Sequence, residues 1–282
     1  MRMKWIPLIG ISIFAISLVS CSNIIKRHDS SGEQPVQETT PNELDGQSEN
    51  SSNNSHIDEN DFLNDENDEE EKLSILEEIE DLTIAVLVNK ENSLDENYAP
   101  DDLVTVEVPT VLENPEVKQL RKVAADALKD MFDQAKKEDI YLYARSGYRS
   151  YQTQVQLFNN YVERHGEDAA NRYSARPGQS EHQTGLVMDV TSESVNLQLD
   201  DAFGETTEGE WLSKHAHEFG FIIRYPKGKE NVTGYIYEPW HIRYLGAELA
   251  TEVYESGLTY EEYLEKEGLI HEVNSTKINS EA

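Results

Sequence analysis

The chain has 282 residues, 37% hydrophobic and 28% charged, which is enough apolar material for one folded core but leaves a large polar segment outside it. Lysine and arginine number 24 against 55 aspartates and glutamates, a formal net charge of -31. That balance argues against nucleic acid and anionic lipid headgroups as partners of the folded part, because like charges repel.

At the start, Arg2 and Lys4 precede a mostly apolar run from Ile6 to Val19, closed by Leu18-Val19-Ser20-Cys21. The run is short for a spanning helix, which needs ~20 residues. Small residues before a cysteine resemble a lipobox. Residues 1–20 are therefore expected to be a lipoprotein signal peptide, with Cys21 lipidated as the first residue of the mature chain. An ordinary signal peptide or a short uncleaved anchor is the plainer alternative. Cys21 is the only cysteine, so no disulfide can form within one chain. Residues 21–72 form an acidic, low-complexity linker, with Asn50-Ser51-Ser52-Asn53-Asn54-Ser55 in its middle and an acidic run from Asp65 to Glu71 near its end. Such a composition buries too little apolar surface to offset the entropy of ordering, so a disordered tether is expected. Its random-coil reach is roughly 40 Å.

The folded domain is expected over residues 73–270, with a disordered tail at 271–282. Leu73, Leu76, Ile79 and Leu82 recur at helical spacing, and Ile84-Ala85-Val86-Leu87-Val88 reads as a buried strand. Pro109 to Pro115 is a turn region, and Pro115 suits the first turn of a helix running over Val117–Lys137. Ile140 to Ala144 reads as a strand, Tyr151 to Arg164 as a helix ended by Gly166, and Gly185 to Val190 as a strand with Asp189 at its end. A helix over Glu210–Phe219 stops at Gly220. Two strands follow, Phe221–Tyr225 and Tyr235–Tyr237, and a last helix begins near Gly246. Strands and helices mix without a regular βαβ rhythm, so the fold class is α+β, a small antiparallel sheet flanked by helices.

The chemistry lies in two segments, Ser180-Glu181-His182-Gln183-Thr184-Gly185-Leu186-Val187-Met188-Asp189 and Glu238-Pro239-Trp240-His241. Together they offer two imidazoles, one carboxylate in ligand position and one more within reach of a water. Three protein ligands with a fourth position open is the pattern of a catalytic zinc. A further glutamate that is not a ligand can take a proton from that water. A turn at Gly185 can bring His182 back beside Asp189, while Pro239 biases Glu238 toward extended backbone. Glu238 and His241 can then converge if the strand ends or bulges there. His215 and His217, two apart on a helix, point to different faces and read as surface residues. His165 beside Gly166 reads as a helix-end residue.

These motifs resemble the D-alanyl-D-alanine carboxypeptidases of the vancomycin-resistance type, zinc peptidases grouped with lysostaphin-like enzymes and the Hedgehog signalling domain. Leu87-Val88-Asn89-Lys90, Tyr98-Ala99-Pro100 with Asp102-Leu103, Ser146-Gly147-Tyr148-Arg149-Ser150, Gly220 to Pro226 and Thr233-Gly234-Tyr235 extend the likeness over Leu87 to Gly246. It implies that group's sheet-and-helix fold with one Zn2+. His182, Asp189 and His241 would be the ligands, Glu238 the base, and Arg149 the group that holds an oxyanion or the substrate carboxylate. Gln154 and Ser180 would contact the substrate's terminal carboxylate.

The expected activity is hydrolysis of the C-terminal D-alanine from peptidoglycan stem peptides, outside the cytoplasm and lipid-anchored to the bacterial cell membrane. LD-carboxypeptidase or endopeptidase action on stem peptides is the near alternative, and a catalytically silent wall-binding domain the distant one. A monomer is the working expectation.

Overall fold

The computed structural model describes residues 82–275, together with residues 72 and 74–76. Cys21, the signal segment and nearly all of the linker lie outside the described residues, as do Leu73, Ile79 and residues 276–282. Among the described residues, no helix is long and apolar enough to cross a membrane.

Four strands form the central antiparallel sheet. Numbering in chain order, β1 (Leu103–Thr105) and β2 (Gln119–Arg121) make a separate two-stranded ladder. The main sheet runs β3 (Tyr143–Ser146), β4 (Val187–Thr191), β6 (Glu238–Tyr244), β5 (Phe221–Tyr225) across its width. The two central strands pair Asp189 directly with His241. Because side chains alternate along a strand, one face of this sheet receives Met188, Val190, Ile242 and Tyr244, all in the main apolar core. The opposite face receives Asp189, His241 and Arg243. The period of two thus sorts packing from chemistry.

The main core is closed by α1 (Lys122–Lys137), whose Ala124, Leu128, Met131 and Ala135 are fully buried at helical spacing. A second apolar cluster joins Ala85 and Leu87 to Leu249 and Val253 of α5 (Ala247–Ser256), Tyr260 and Leu264 of α6 (Tyr260–Lys266), and Val273 of α7 (Ile270–Ser275). The remaining helices of this numbering are α2 (Tyr151–His165), α3 (Glu167–Tyr173) and α4 (Thr207–His215). Expected stops at Gly166 and Gly220 are present, with φ of 81° and 82°.

Several expectations are corrected. The helix expected from Val117 starts at Lys122, because Gln119–Arg121 pairs with Leu103–Thr105 instead. Ile84 to Val88 is no strand. A helical turn covers Leu82–Ala85, and the carbonyls of Ile84 and Val86 are taken by Arg243 and that of Ala85 by Tyr260. Side-chain donors have replaced a strand partner there. Tyr235–Tyr237 also lacks strand pairing; the strand begins at Glu238. Asp189 stands mid-strand rather than at its end. The expected tail from 271 opens inside α7, whose Val273 is buried. A capping box at Thr259 and Glu262 opens α6, a helix that the sequence reading left out.

Candidate metal centre

Three local devices assemble the site. The first is a one-turn helix, Glu181–Thr184, ended by Gly185 at φ 69°, a left-handed conformation that suits glycine. It turns His182 back beside β4, so that His182 Nε2 lies 3.6 Å from Asp189 Oδ2.

The second is an irregularity in β6. Residues three apart on a regular strand face opposite sides, yet Glu238 Oε2 lies 3.6 Å from His241 Nδ1. The ladder shifts register between Ile223 and Tyr225: Ile223 pairs with Ile242, and Tyr225 with Glu238. The extra residues on β6 include Pro239, which has no N–H to lose at a bulge.

The third is the Ser146-Gly147-Tyr148-Arg149 loop. It is held by Gly147 N and Tyr148 N donating to Val117 O and Gln119 O at 2.7 and 2.8 Å, and by Arg149 N donating to His182 O at 3.2 Å. A Cβ at Gly147 would meet Gln119 O at 2.4 Å, so no side chain fits there. The carbonyl of Gly147 in turn meets His182 Nδ1 at 2.8 Å.

His182, Asp189 and His241 come together as the sequence reading expected, their ligand atoms within 4.8 Å of one another and all three side chains buried. His241 Nδ1 lies 3.4 Å from Asp189 Oδ1, which is buried and has no hydrogen-bond partner in the protein. A buried carboxylate with one oxygen lacking a donor, set between two imidazole nitrogens, is a donor set short of a cation. It fits zinc, which takes nitrogen and carboxylate oxygen ligands. Burial opposes charge on His241, but the Asp189 and Glu181 carboxylates overcome it and raise its pKa to about 9. Burial and the nearby Arg149 lower His182 to about 3. Burial raises Glu238 to about 7 against the pull of His241. Glu238 thus sits in the range of a group that gives and takes protons near neutrality.

These groups line a cavity of about 300 Å³, walled by Leu157, Tyr161, Tyr173, Tyr225, Ile236 and Trp240. Arg149 and Ser180 line it too. Gln154 is fully buried and does not. Its Nε2 donates to Ala175 O at 2.6 Å, and its Oε1 accepts from Arg149 Nη1 at 2.7 Å. Gln154 therefore holds the guanidinium. His215 and His217 lie away from the cavity, against Glu218 and Thr251.

The sequence reading missed Glu181. Its carboxylate is completely buried and accepts from Arg224 Nε and Arg243 Nη1, each at 2.8 Å. The only local signal was faint: Arg224 interrupts the otherwise apolar strand Phe221–Tyr225, and a buried arginine requires a partner.

Residues 117–247 match the family model of VanY, D-alanyl-D-alanine carboxypeptidase. The chain is 43% identical over 268 residues to the putative carboxypeptidase YodJ of Bacillus subtilis, covering 93% of this chain and 97% of that one. Among solved structures, it is similar to the LdcB LD-carboxypeptidase, with 51% identity, TM-score 0.62, and coverage of 64% of this chain and 85% of that chain. A VanY D,D-pentapeptidase variant in complex with Zn(II) matches at 34% identity and TM-score 0.53, covering 64% of this chain and 99% of that chain. Fold, site and these likenesses define a peptidase of the carboxypeptidase class. Within that class, the chain belongs to the VanY family of D-alanyl-D-alanine carboxypeptidases.

Proposed function

We propose that this protein is a zinc-dependent carboxypeptidase that releases the C-terminal D-alanine of peptidoglycan stem peptides, at the D-Ala-D-Ala bond. The observation that carries the reading is the buried His182–Asp189–His241 cluster with Glu238 beside it and Asp189 Oδ1 unpartnered. A zinc ion held by those three residues would supply Lewis acidity to the scissile carbonyl and to water. Glu238 takes the proton of the attacking water and returns it to the leaving amine. Arg149, held by Gln154 and Ser146, offers fixed donors to the substrate's free carboxylate or to the developing oxyanion. Ser180 adds a hydroxyl to the same cavity, and the aromatic wall excludes water from the peptide.

A second reading is favoured by one observation: identity to the LD-carboxypeptidase is 51%, against 34% to VanY. On it, the bond cut is the one before the single D-alanine of a tetrapeptide stem. D-alanine release from pentapeptide and tetrapeptide stems, with and without chelator, tests both readings. Preference for one stem names the bond, and release that survives complete removal of zinc rejects the metal mechanism.

The proposal extends to location. The signal-like residues 1–20 and the lipobox-like Cys21 support lipidation there, with residues 21–72 tethering the domain to the outer face of the bacterial cell membrane. Metabolic labelling with a fatty-acid analogue, lost in Cys21→Ala, checks the anchor.

A further inference from the structure

The proposed reaction leaves one buried carboxylate at the site unused. His241 turns Nδ1 toward Asp189 and Glu238, at 3.4 and 3.6 Å, and Nε2 toward Glu181 Oε2, at 3.4 Å. We infer that Glu181 is a positioning residue: it accepts the Nε2 proton of His241 and so commits Nδ1 to the metal. The inference rests on the zinc reading above.

A neutral imidazole has one N–H, and the partner of one nitrogen decides which nitrogen is left to bind a metal. For His182 that partner is the Gly147 carbonyl, 2.8 Å from Nδ1, which leaves Nε2 toward Asp189. For His241 it is Glu181, which leaves the other nitrogen. The two histidines thus need opposite tautomers, and each has the acceptor that selects its own. The ring of His241 is also confined by its neighbours, with the Tyr225 ring at 4.7 Å and the His182 ring at 5.1 Å.

Glu181 can serve as a fixed acceptor because it is itself caged. Both arginines donate to its Oε1, which leaves Oε2 for the histidine. Arg224 is held in turn by Glu261 of α6, with Nη1 donating to Oε2 at 2.8 Å. Arg243 Nη2 donates to Ile84 O and Val86 O at 2.7 and 2.8 Å. The side chains of Glu181, Arg224 and Arg243 are all fully buried. Glu261 and the two carbonyls lie outside residues 117–247, the stretch that matches the family model. In this chain, the segments on either side of that stretch complete the support of a metal ligand.

The test is zinc affinity by chelator competition, read beside the melting temperature, for wild type, Glu181→Gln and Glu261→Gln. Loss of such an outer partner weakens metal binding by about 10–100-fold. That loss is expected for Glu181→Gln. Glu261→Gln keeps the acceptor but takes one of the two carboxylates from Arg224, so it should lower the melting temperature with a smaller loss of zinc. If both variants melt earlier and bind zinc as wild type does, Glu181 is structural and the inference falls. If Glu181→Gln does not fold, nitrogen-15 NMR of the zinc-loaded wild type decides. A proton on His241 Nε2 that exchanges slowly with water supports the inference; a proton on Nδ1, or fast exchange from Nε2, overturns it. A wild type that binds no zinc overturns the metal reading and this inference together, whereas tight wild-type binding with an unchanged variant overturns this inference alone.

Discussion

Two clusters of buried charge meet at the ring of His241. On its Nε2 side, Glu181, Arg224, Arg243 and Glu261 form a lattice in which charges are balanced and donors find acceptors. On its Nδ1 side, two carboxylates and two imidazoles crowd together, with Asp189 Oδ1 unpartnered. The first arrangement is complete in itself. The second leaves a buried carboxylate oxygen without a donor beside two imidazoles, which is what a metal site looks like from the protein's side. The contrast teaches that burial of charge alone does not mark a functional centre; unmet valence does.

Breaking each cluster should give opposite signatures. Glu238→Gln, on the unmet side, should cost about 10²–10⁴-fold in kcat while melting temperature and zinc content stay unchanged, as steady-state kinetics and metal analysis would record. Arg243→Met, on the balanced side, leaves Glu181 with one arginine fewer in a dry interior. Urea unfolding should show a loss of about 3–5 kcal/mol. Gly147→Ala strikes the support of the other ligand. Its methyl would collide with Gln119 O, costing about 1–3 kcal/mol and shifting the carbonyl that orients His182, so zinc should bind more weakly as well. Lys122→Ala sharpens the comparison from the other end. The Lys122–Asp126 pair is solvent-exposed on α1, and its removal should change stability by about 0.5 kcal/mol or less, with activity untouched.

The unmet side was legible in the sequence, because His182, Asp189, Glu238 and His241 fall in two short motifs whose chemistry is apparent without a fold. So were the long amphipathic helix and the glycine stops. The balanced side was not. Its members stand far apart in the chain, and Arg224 sits inside Phe221–Tyr225, which the apolar pattern marks simply as a strand. Short strands misled for a related reason. Ile84 to Val88 is apolar enough for a strand, but its carbonyls are taken by Arg243 and Tyr260, partners more than 150 residues away that no local pattern can reveal. Gln154 was expected at the substrate because the family resemblance places a contact to the terminal carboxylate there. The fold buries it and uses both ends of its amide on the protein.

The central claim is that the unmet cluster holds a zinc ion that serves peptide hydrolysis. Its most direct test is D-alanine release from pentapeptide and tetrapeptide stems by zinc-loaded wild type, chelated wild type and Glu238→Gln, with bound zinc measured in each. The account predicts one zinc per chain, release that stops on chelation and returns with zinc, and a Glu238→Gln protein that keeps its zinc but releases almost nothing. A folded, zinc-loaded wild type that frees no D-alanine from either stem would contradict it.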